Sequence, residues 1–237
     1  MTGQQALAKE NKNLQQKSDN QLKVQDLTVF RSELPLFEPV SFNMKSGDAI
    51  QISGTNGSGK TSLLRCLCGL SHRHEGLISW NEGNIDDDKN EFYAQLLYIG
   101  HALGLKPKLS IEKNLDFYQQ LRFPKDEDSI VNALEQLKIG AYHDELVGNL
   151  SAGQKRRVAL ARILCEPVSL WVLDEPMVAL DVDGQNWLEK TCNRHLSNGG
   201  MIILTSHQTI KGINGLTEFR LKETNWKENS SLEDSKL

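Results

Sequence analysis

The sequence predicts an α/β fold with a mostly parallel central sheet, and three observations support that prediction. Short apolar runs occur at 49–53, 96–100, 170–174 and 201–206, and three of them are continuous rather than alternating. Continuous runs are typical of strands covered on both faces. Helical patterns separate these runs, and a glycine-rich turn joins the first run to a helix. Strands that alternate with helices in this way indicate an α/β sheet.

The helical patterns differ in character along the chain. One spans 61–70 after the glycine-rich turn, and another spans 154–164 and is ended by a Glu-Pro pair. Between 102 and 150 no strand is evident, and amphipathic stretches at about 111–121 and 130–137 fit helices. We therefore expect a helical subdomain inserted into the α/β core.

Composition separates the folded part from its ends. Residues 1–20 and 222–237 are polar and nearly free of large apolar side chains, so they cannot bury enough surface to offset the entropy of ordering. We interpret them as a flexible extension and a polar tail around a domain at 21–221.

The charge balance and hydropathy exclude several classes of protein. Lys and Arg number 27 against 31 Asp and Glu, a net charge of -4, so the chain lacks the positive excess that favours nucleic acid. No apolar run reaches the roughly 18 residues that span a bilayer, and the N-terminus does not resemble a signal peptide. We expect a chain in the cytosol or on the cytosolic face of a membrane.

A phosphate-binding loop is predicted where the first apolar run meets its helix. The sequence GTNGSGKT matches G-x-x-x-x-G-K-[ST] between a strand and a helix. Backbone N–H groups of such a loop cradle phosphate oxygens, Lys60 reaches the terminal phosphates, and Thr61 offers a hydroxyl to Mg²⁺. The residues predicted to line the site are Gly54, Thr55, Asn56, Gly57, Ser58, Gly59, Lys60, Thr61 and Ser62.

Two carboxylates follow the apolar run LWVL at the predicted C-terminal edge of the sheet. Asp174 is predicted to support the magnesium ion through a bound water. Glu175 is predicted to act as the general base or to position the attacking water. The alternative is that Asp-Glu-Pro only terminates a strand.

The segment LSAGQ begins the helix at 154–164. Ser151 is placed as its N-cap, with Gln154 three residues later as in a capping box. An exposed helix N-terminus with Ser151 and Gly153 is also a second anion site, which two head-to-tail copies of the chain could use on one nucleotide. The alternative is a well-formed helix start with no further role.

Together these motifs resemble those of the ATP-binding cassette ATPases over about 22–221. The resemblance includes Ala-Leu-Asp ending at Asp181 and Thr-Ser-His ending at His207. It implies a P-loop NTPase of cassette type, with a mostly parallel sheet, an inserted helical subdomain and an N-terminal antiparallel β portion. It also implies ATP and Mg²⁺ as cofactors and a homodimer.

The resemblance also assigns roles to particular residues. Ser151, Gly153 and Gln154 would contact ATP bound by the partner copy, and Asp181 would lie in a loop that bridges the dimer. His207 would touch the γ-phosphate, so the expected catalytic residues are Glu175, His207 and Lys60.

One position departs from the usual cassette pattern. Cassettes usually carry Gln after the strand that leads into the helical subdomain, whereas this chain carries His101. YIGHALGLKPKLSIEKNLDFY is similar to the ATPase subunits of cytochrome c maturation (Ccm) systems, long called haem exporters, in which His commonly takes this place. An imidazole nitrogen there could accept a contact from water or metal. The alternative is a loop histidine with no nucleotide role.

The sequence leaves open which residue stacks on adenine and where the basic residues after the LSAGQ segment lie. Phe30 or Arg31, just after the predicted first strand, could stack on the base, although Phe30 could equally pack in the core. We expect the basic residues to lie near phosphate or face solvent rather than bind nucleic acid. They are Lys155, Arg156, Arg157 and Arg162.

The resemblance implies a peripheral subunit on the cytoplasmic face of the bacterial inner membrane. It would act with integral-membrane Ccm transporter subunits, either exporting haem or releasing a haem-loaded chaperone. We do not expect haem to bind this chain directly. The alternatives are a cassette ATPase for another cargo, or a soluble cassette scaffold in iron-sulfur cluster assembly.

Overall fold

The computed structural model of the chain describes residues 19–71, 74–87 and 89–224. The predicted extension at 1–20 and tail at 222–237 therefore lie almost entirely outside the described residues.

The described residues form ten strands and six α-helices. The strands are β1 Gln21–Arg31, β2 Leu34–Pro35, β3 Val40–Lys45, β4 Ala49–Ser53, β5 His74–Trp80, β6 Gly83–Asn84, β7 Leu96–Ile99, β8 Leu170–Leu173, β9 Met201–Thr205 and β10 Leu216–Arg220. The helices are α1 Lys60–Leu67, α2 Lys89–Ala94, α3 Ile111–Gln120, α4 Glu127–Gln136, α5 Ala152–Cys165 and α6 Val182–Ser197. Within the described ranges, no helix has the length and apolar character needed to cross a membrane.

The first sheet is antiparallel and is centred on β1. This long strand pairs with β2, β3 and β5, and β6 extends the sheet beyond β5. In the first half of β1, buried Leu22 and Val24 alternate with more exposed residues, as expected of a sheet covered on one face. The antiparallel β portion expected near the N-terminus is confirmed.

The second sheet is parallel and has the strand order β10-β4-β9-β8-β7. Every residue of β8 and β9 is buried, because helices and the first sheet cover both faces. The four predicted strands are confirmed, although β7, β8 and β9 each end one residue earlier than expected. The carboxyl ends of β4, β8 and β9 therefore meet at one edge, where the candidate site lies.

The predicted helices are present with shifted ends. The helix expected at 61–70 ends at Leu67, because Gly69 has a φ of 64° in the left-handed region. The helix expected at 130–137 begins at Glu127, since the Asp126 side chain caps it by accepting from the Ser129 N–H at 3.0 Å. Both α3 and α4 pack against α5 around a separate apolar cluster that includes Leu115, Leu134 and Val158.

Candidate functional site

The phosphate loop connects β4 to α1, and its glycines permit close packing. Gly59 has a φ of 95°, and a Cβ at this position would lie 2.9 Å from Phe37 Cδ1. A Cβ on Gly54 would lie 2.6 Å from Ser58 Oγ. Any larger residue at either position would force neighbouring atoms to move, so the loop can keep this path only with glycine.

The Lys60 side chain lies inside the loop. It is buried, and its Nζ donates to the carbonyl oxygens of Gly54 and Thr55, each at 2.9 Å. The ammonium group is thus held beside the mouth of the loop.

The start of α1 fits an anionic ligand. Among the described residues, no side chain caps the helix at Gly59, and its first turn contains no acidic residue. The loop residues Asn56 and Gly57 are exposed, whereas Ser58 Oγ is buried and has no hydrogen-bond partner within the described part of the chain. Uncapped N–H groups and an unpaired hydroxyl are groups that phosphate oxygens can satisfy.

Asp174 connects this loop to the end of β8. The residue is 2% exposed; Oδ2 accepts from Thr61 Oγ1 at 2.8 Å, and Oδ1 accepts from Thr205 Oγ1 at 2.7 Å. Thr61 itself is exposed, and the adjacent Ser62 is half-buried. A hydroxyl and a carboxylate in direct contact are oxygen donors of the kind that Mg²⁺ prefers.

Glu175 has an unusual backbone conformation. Its φ is 50°, in the left-handed region that costs a non-glycine residue about 1–2 kcal/mol. Its N–H donates to Thr205 Oγ1 at 2.8 Å, and its carbonyl accepts from the Arg156 guanidinium. These two contacts fix the strained backbone and hence the direction of the carboxylate.

His207 lies next to the Glu175 carboxylate. Its Nε2 is 2.7 Å from Glu175 Oε1, and the two side chains are 47% and 23% exposed. The structure therefore brings His207, Glu175, Asp174 and the phosphate loop together at one edge of the sheet.

Arg156 excludes one of the two positions expected for the basic residues. It does not face solvent: it is buried and donates to the carbonyls of Asp174 at 2.8 Å, Pro176 at 3.3 Å and also Glu175. Burial lowers the pKa of its guanidinium, and the nearby Asp174 and Glu175 carboxylates oppose that shift. From its position on α5, Arg156 thus binds the backbone of the turn that follows β8.

The predicted capping box is confirmed at the start of α5. Gln154 N–H donates to Ser151 Oγ at 3.2 Å, and Ser151 N–H donates to Gln154 Oε1 at 2.9 Å. Ser151 is exposed, and a Cβ on Gly153 would lie 3.0 Å from the carbonyl oxygen of Ala179. This helix start therefore packs closely on the loop before α6.

Asp181 caps α6 and is held by α5. Its Oδ1 accepts from the Gly184 N–H at 2.9 Å, and Arg157 Nη2 donates to Oδ1 at 2.6 Å and to Oδ2 at 2.8 Å. The Gly184 N–H is the main cause that lowers the pKa of Asp181, with the Arg157 charge adding to it. Asp181 is nevertheless exposed, so it is available to a second molecule.

His101 is an exposed residue that follows β7 by two positions. The last residue of β7, Ile99, pairs with Leu173, and its carbonyl accepts from the Asp174 N–H at 2.8 Å. His101 therefore leaves the sheet at the same edge as Asp174.

The two candidates for adenine stacking lie in β1, not after it as expected. The strand continues through Arg31 because Phe30 and Arg31 pair with Pro35 and Leu34 of β2. Phe30 is half-buried and lines a cavity of about 570 Å³, whereas Arg31 is exposed.

The structure gives two residues of the site roles that the sequence did not assign. Thr205 is the buried hydroxyl between Asp174 and Glu175. Gln51 lies in the apolar strand β4. Its side chain donates to the Gln208 carbonyl at 3.1 Å and accepts from the Ile210 N–H at 3.5 Å, and these two bonds fix the loop after His207. A polar residue inside an apolar strand is the sequence signal from which both roles could have been inferred.

Comparisons with known proteins agree with this geometry. A family model described as ABC transporter matches residues 37–178. The chain is 44% identical over 190 residues to the cytochrome c biogenesis ATP-binding export protein CcmA of Vibrio vulnificus strain CMCP6, covering 80% of this chain and 93% of the relative. It is 42% identical over 213 residues to the protein of the same name from Mannheimia succiniciproducens, covering 90% and 99%.

Solved structures give the same family of folds. An ABC transporter ATP-binding protein from Pyrococcus furiosus superposes with a TM-score of 0.73 at 26% identity, covering 84% of this chain and 96% of that one. The dimeric ATP-binding cassette MJ0796, in a post-hydrolysis state bound to ADP and Pi, superposes with a TM-score of 0.75 at 20% identity, covering 85% and 94%.

Proposed function

The chain belongs to the ABC transporter family of ATP-binding proteins, and from this premise we propose that it hydrolyses ATP to power a membrane complex for the biogenesis of c-type cytochromes. The observation that carries the proposal is the 44% identity over 93% of a relative named as a cytochrome c biogenesis ATP-binding export protein. The cluster of Lys60, Asp174, Glu175 and His207 at one sheet edge supports the hydrolytic part.

Lys60 and the start of α1 bind the phosphates. When ATP enters, the Lys60 ammonium exchanges the carbonyls of Gly54 and Thr55 for the terminal phosphates, and the N–H groups of the loop cradle the phosphate oxygens. Magnesium supplies charge neutralisation on the phosphates when bound. The residues that would hold it are Thr61 and Asp174, whose oxygens already contact each other.

Glu175 accepts the proton of the attacking water or orients that water. His207 holds the Glu175 carboxylate and contacts the γ-phosphate; the 2.7 Å contact between the two side chains supports this pairing. His101 accepts a contact from water or metal; its exposure, and its place just after β7 at the same edge of the sheet as Asp174, support this role.

The active form is a homodimer in which each nucleotide contacts both copies. Ser151, Gly153 and Gln154 of one copy complete the site formed by the phosphate loop of the other, and Asp181 lies at the bridging loop. The exposure of Ser151 and Asp181 supports these roles. Adenine stacks on Phe30 or Arg31, and the cavity lined by Phe30 favours the former.

A domain at 21–221, with its helical subdomain at about 102–150, transmits dimer closure to integral-membrane Ccm subunits. A groove of about 560 Å³ offers a docking surface for such a subunit; among the residues that line it are Tyr93, Tyr98, Arg122, Phe123 and Arg162. The chain would then act peripherally on the cytoplasmic face of the bacterial inner membrane, with neither haem nor nucleic acid bound to it directly.

The test is to identify what co-purifies with the chain from bacterial membranes. We expect integral-membrane cytochrome c maturation proteins in a detergent extract, and we expect Lys60→Ala to abolish covalent haem attachment to c-type cytochromes in cells. A chain found wholly in the soluble fraction with cytosolic partners only would refute the membrane role. ATP hydrolysis in that case would leave the soluble scaffold as the better proposal.

A further inference from the structure

Residues 221–224, which we name the C-terminal strap, cross the base of the phosphate loop after β10. The Leu221 N–H donates to the Ser53 carbonyl at 2.9 Å, which extends the pairing of β10 with β4. Leu221 is buried, and its Cβ lies 3.5 Å from the position that a Cβ on Gly54 would take. The strap is therefore packed directly on the first residue of the loop.

The strap also binds the segment on the other side of the loop. Its Lys222 carbonyl accepts from the Glu38 N–H at 3.0 Å, and Thr224 Oγ1 donates to the Pro35 carbonyl at 3.1 Å. The segment at 35–38 contacts the loop through Phe37, which lies 2.9 Å from the Cβ position of Gly59. Strap and segment together enclose the loop from two sides.

Glu223 is the strap residue whose carboxylate contacts a loop side chain. Thr55 Oγ1 donates to Glu223 Oε1, while the Thr55 carbonyl accepts from Lys60 Nζ at 2.9 Å. Thr55 is thus held between a carboxylate and the ammonium group that must move to the phosphates. Both Thr55 and Glu223 are exposed, so the contact can open without breaking the core.

We propose that Glu223 is a positioning residue of the nucleotide site, which acts through Thr55 to lower the affinity for ATP and is released when ATP binds. A triphosphate brings several negative charges to the loop, where the negative Glu223 carboxylate repels them. Thr55 alone lies between that carboxylate and Lys60, since it is hydrogen-bonded to both. Because binding linkage is reciprocal, bound ATP weakens the contact between Glu223 and Thr55 by the same factor. The strap therefore responds to nucleotide occupancy.

The first test compares ligand affinities of the full chain and its Glu223→Gln variant, which keeps size and hydrogen bonding but removes the charge. We expect ATP to bind the variant about three- to tenfold more tightly, with the gain shrinking at high salt. Adenosine, which carries no charge, should bind both proteins equally. Equal affinity for ATP, or an equal gain for adenosine, would overturn the proposal.

The matched control is Glu218→Gln, which removes the same charge from an exposed position in β10, the strand that leads into the strap. It should leave ATP affinity unchanged.

Hydrogen exchange of the backbone amides at 221–224 provides a second readout. ATP should raise the exchange rate in the unaltered chain and change it less in Glu223→Gln. A lower exchange rate with ATP would contradict release of the strap. The proposal rests only on ATP binding, so a chain that binds no ATP would refute the nucleotide site, whereas binding without a charge effect would refute Glu223.

Discussion

The hydroxyl of Thr205 donates to Asp174 Oδ1 at 2.7 Å while it accepts from the Glu175 N–H at 2.8 Å. One oxygen atom at the end of β9 therefore orients both carboxylate residues that follow β8. Because Thr205 is fully buried, no water can take over these two bonds if the hydroxyl is removed.

Thr205→Val should reduce ATP turnover about tenfold or more, since it removes a bond to a charged group while keeping the shape of the side chain. We expect the free energy of unfolding to fall by about 1–3 kcal/mol, from the unpaired Asp174 oxygen. Steady-state hydrolysis and urea unfolding measure the two effects. Thr205→Ser, which keeps the hydroxyl, is the control, and a valine variant as active as the serine variant would contradict this role.

Arg156→Met should lower kcat more than it changes KM, because the guanidinium fixes the backbone of Glu175 rather than contacting the nucleotide. Its three carbonyl partners would lose the guanidinium bonds, although the Glu175 carbonyl would keep the bond from the Val178 N–H at 3.2 Å. We expect a loss of about 1–3 kcal/mol in stability. Lys155→Met removes the same charge one residue earlier, where Nζ makes an exposed bond to the Gly148 carbonyl, and should be nearly neutral. A matched loss in both variants would point to net charge instead.

The parts of the site that were predictable from the sequence are local. The loop at 54–61 and the pair Ser151 and Gln154 are defined by residues at most a few positions apart, so spacing alone indicated their geometry. The bonds of Thr205 and Arg156 connect residues 31 and 18 positions apart. A linear pattern does not give the direction of a buried arginine side chain, so the sequence predicts only that the basic residues at 155–157 lie near phosphate or face solvent.

Strand β10 shows the same limit for the fold. Its sequence, LTEFR, contains exposed polar residues, and it lies at the edge of the parallel sheet beside β4. Edge strands bury less surface than central ones, so the apolar signal that identified β4, β8 and β9 is weak there.

Glu175→Gln should retain ATP binding but slow hydrolysis by about a hundredfold or more, because an amide cannot accept the proton of the attacking water. We expect the variant to accumulate as an ATP-bound dimer. Single-turnover hydrolysis and size-exclusion chromatography with ATP measure these properties. Turnover at the original rate would refute the role of Glu175.

Stability should fall between about pH 6.5 and pH 4 because of His195. Its ring stacks on Trp171 with centroids 3.7 Å apart, and burial lowers its pKa to about 4. The unfolded chain binds a proton in this range and the folded chain does not, so stability is lost as pH falls, by up to about 3 kcal/mol. His195→Phe keeps a ring and should flatten this part of the stability profile; an unchanged slope in urea unfolding would show that another group titrates there.

Mixing two inactive variants tests whether sites are shared between copies. Ser151→Trp blocks the helix start that reaches the partner's nucleotide, and Lys60→Ala removes the phosphate contact of its own loop. In a mixed dimer, one site combines Lys60 of the Ser151→Trp copy with Ser151 of the Lys60→Ala copy, so this site is intact. The second site contains both substitutions and is inactive. Because random pairing makes half of the dimers mixed, and each mixed dimer has one intact site, activity should recover to about a quarter of that of the unaltered protein.

Each variant alone should be inactive. Thermal unfolding confirms that each variant is folded, because the loss of the helix cap in Ser151→Trp costs about 1 kcal/mol. A mixture that stays inactive while mixed dimers form would show that each copy acts on its own nucleotide.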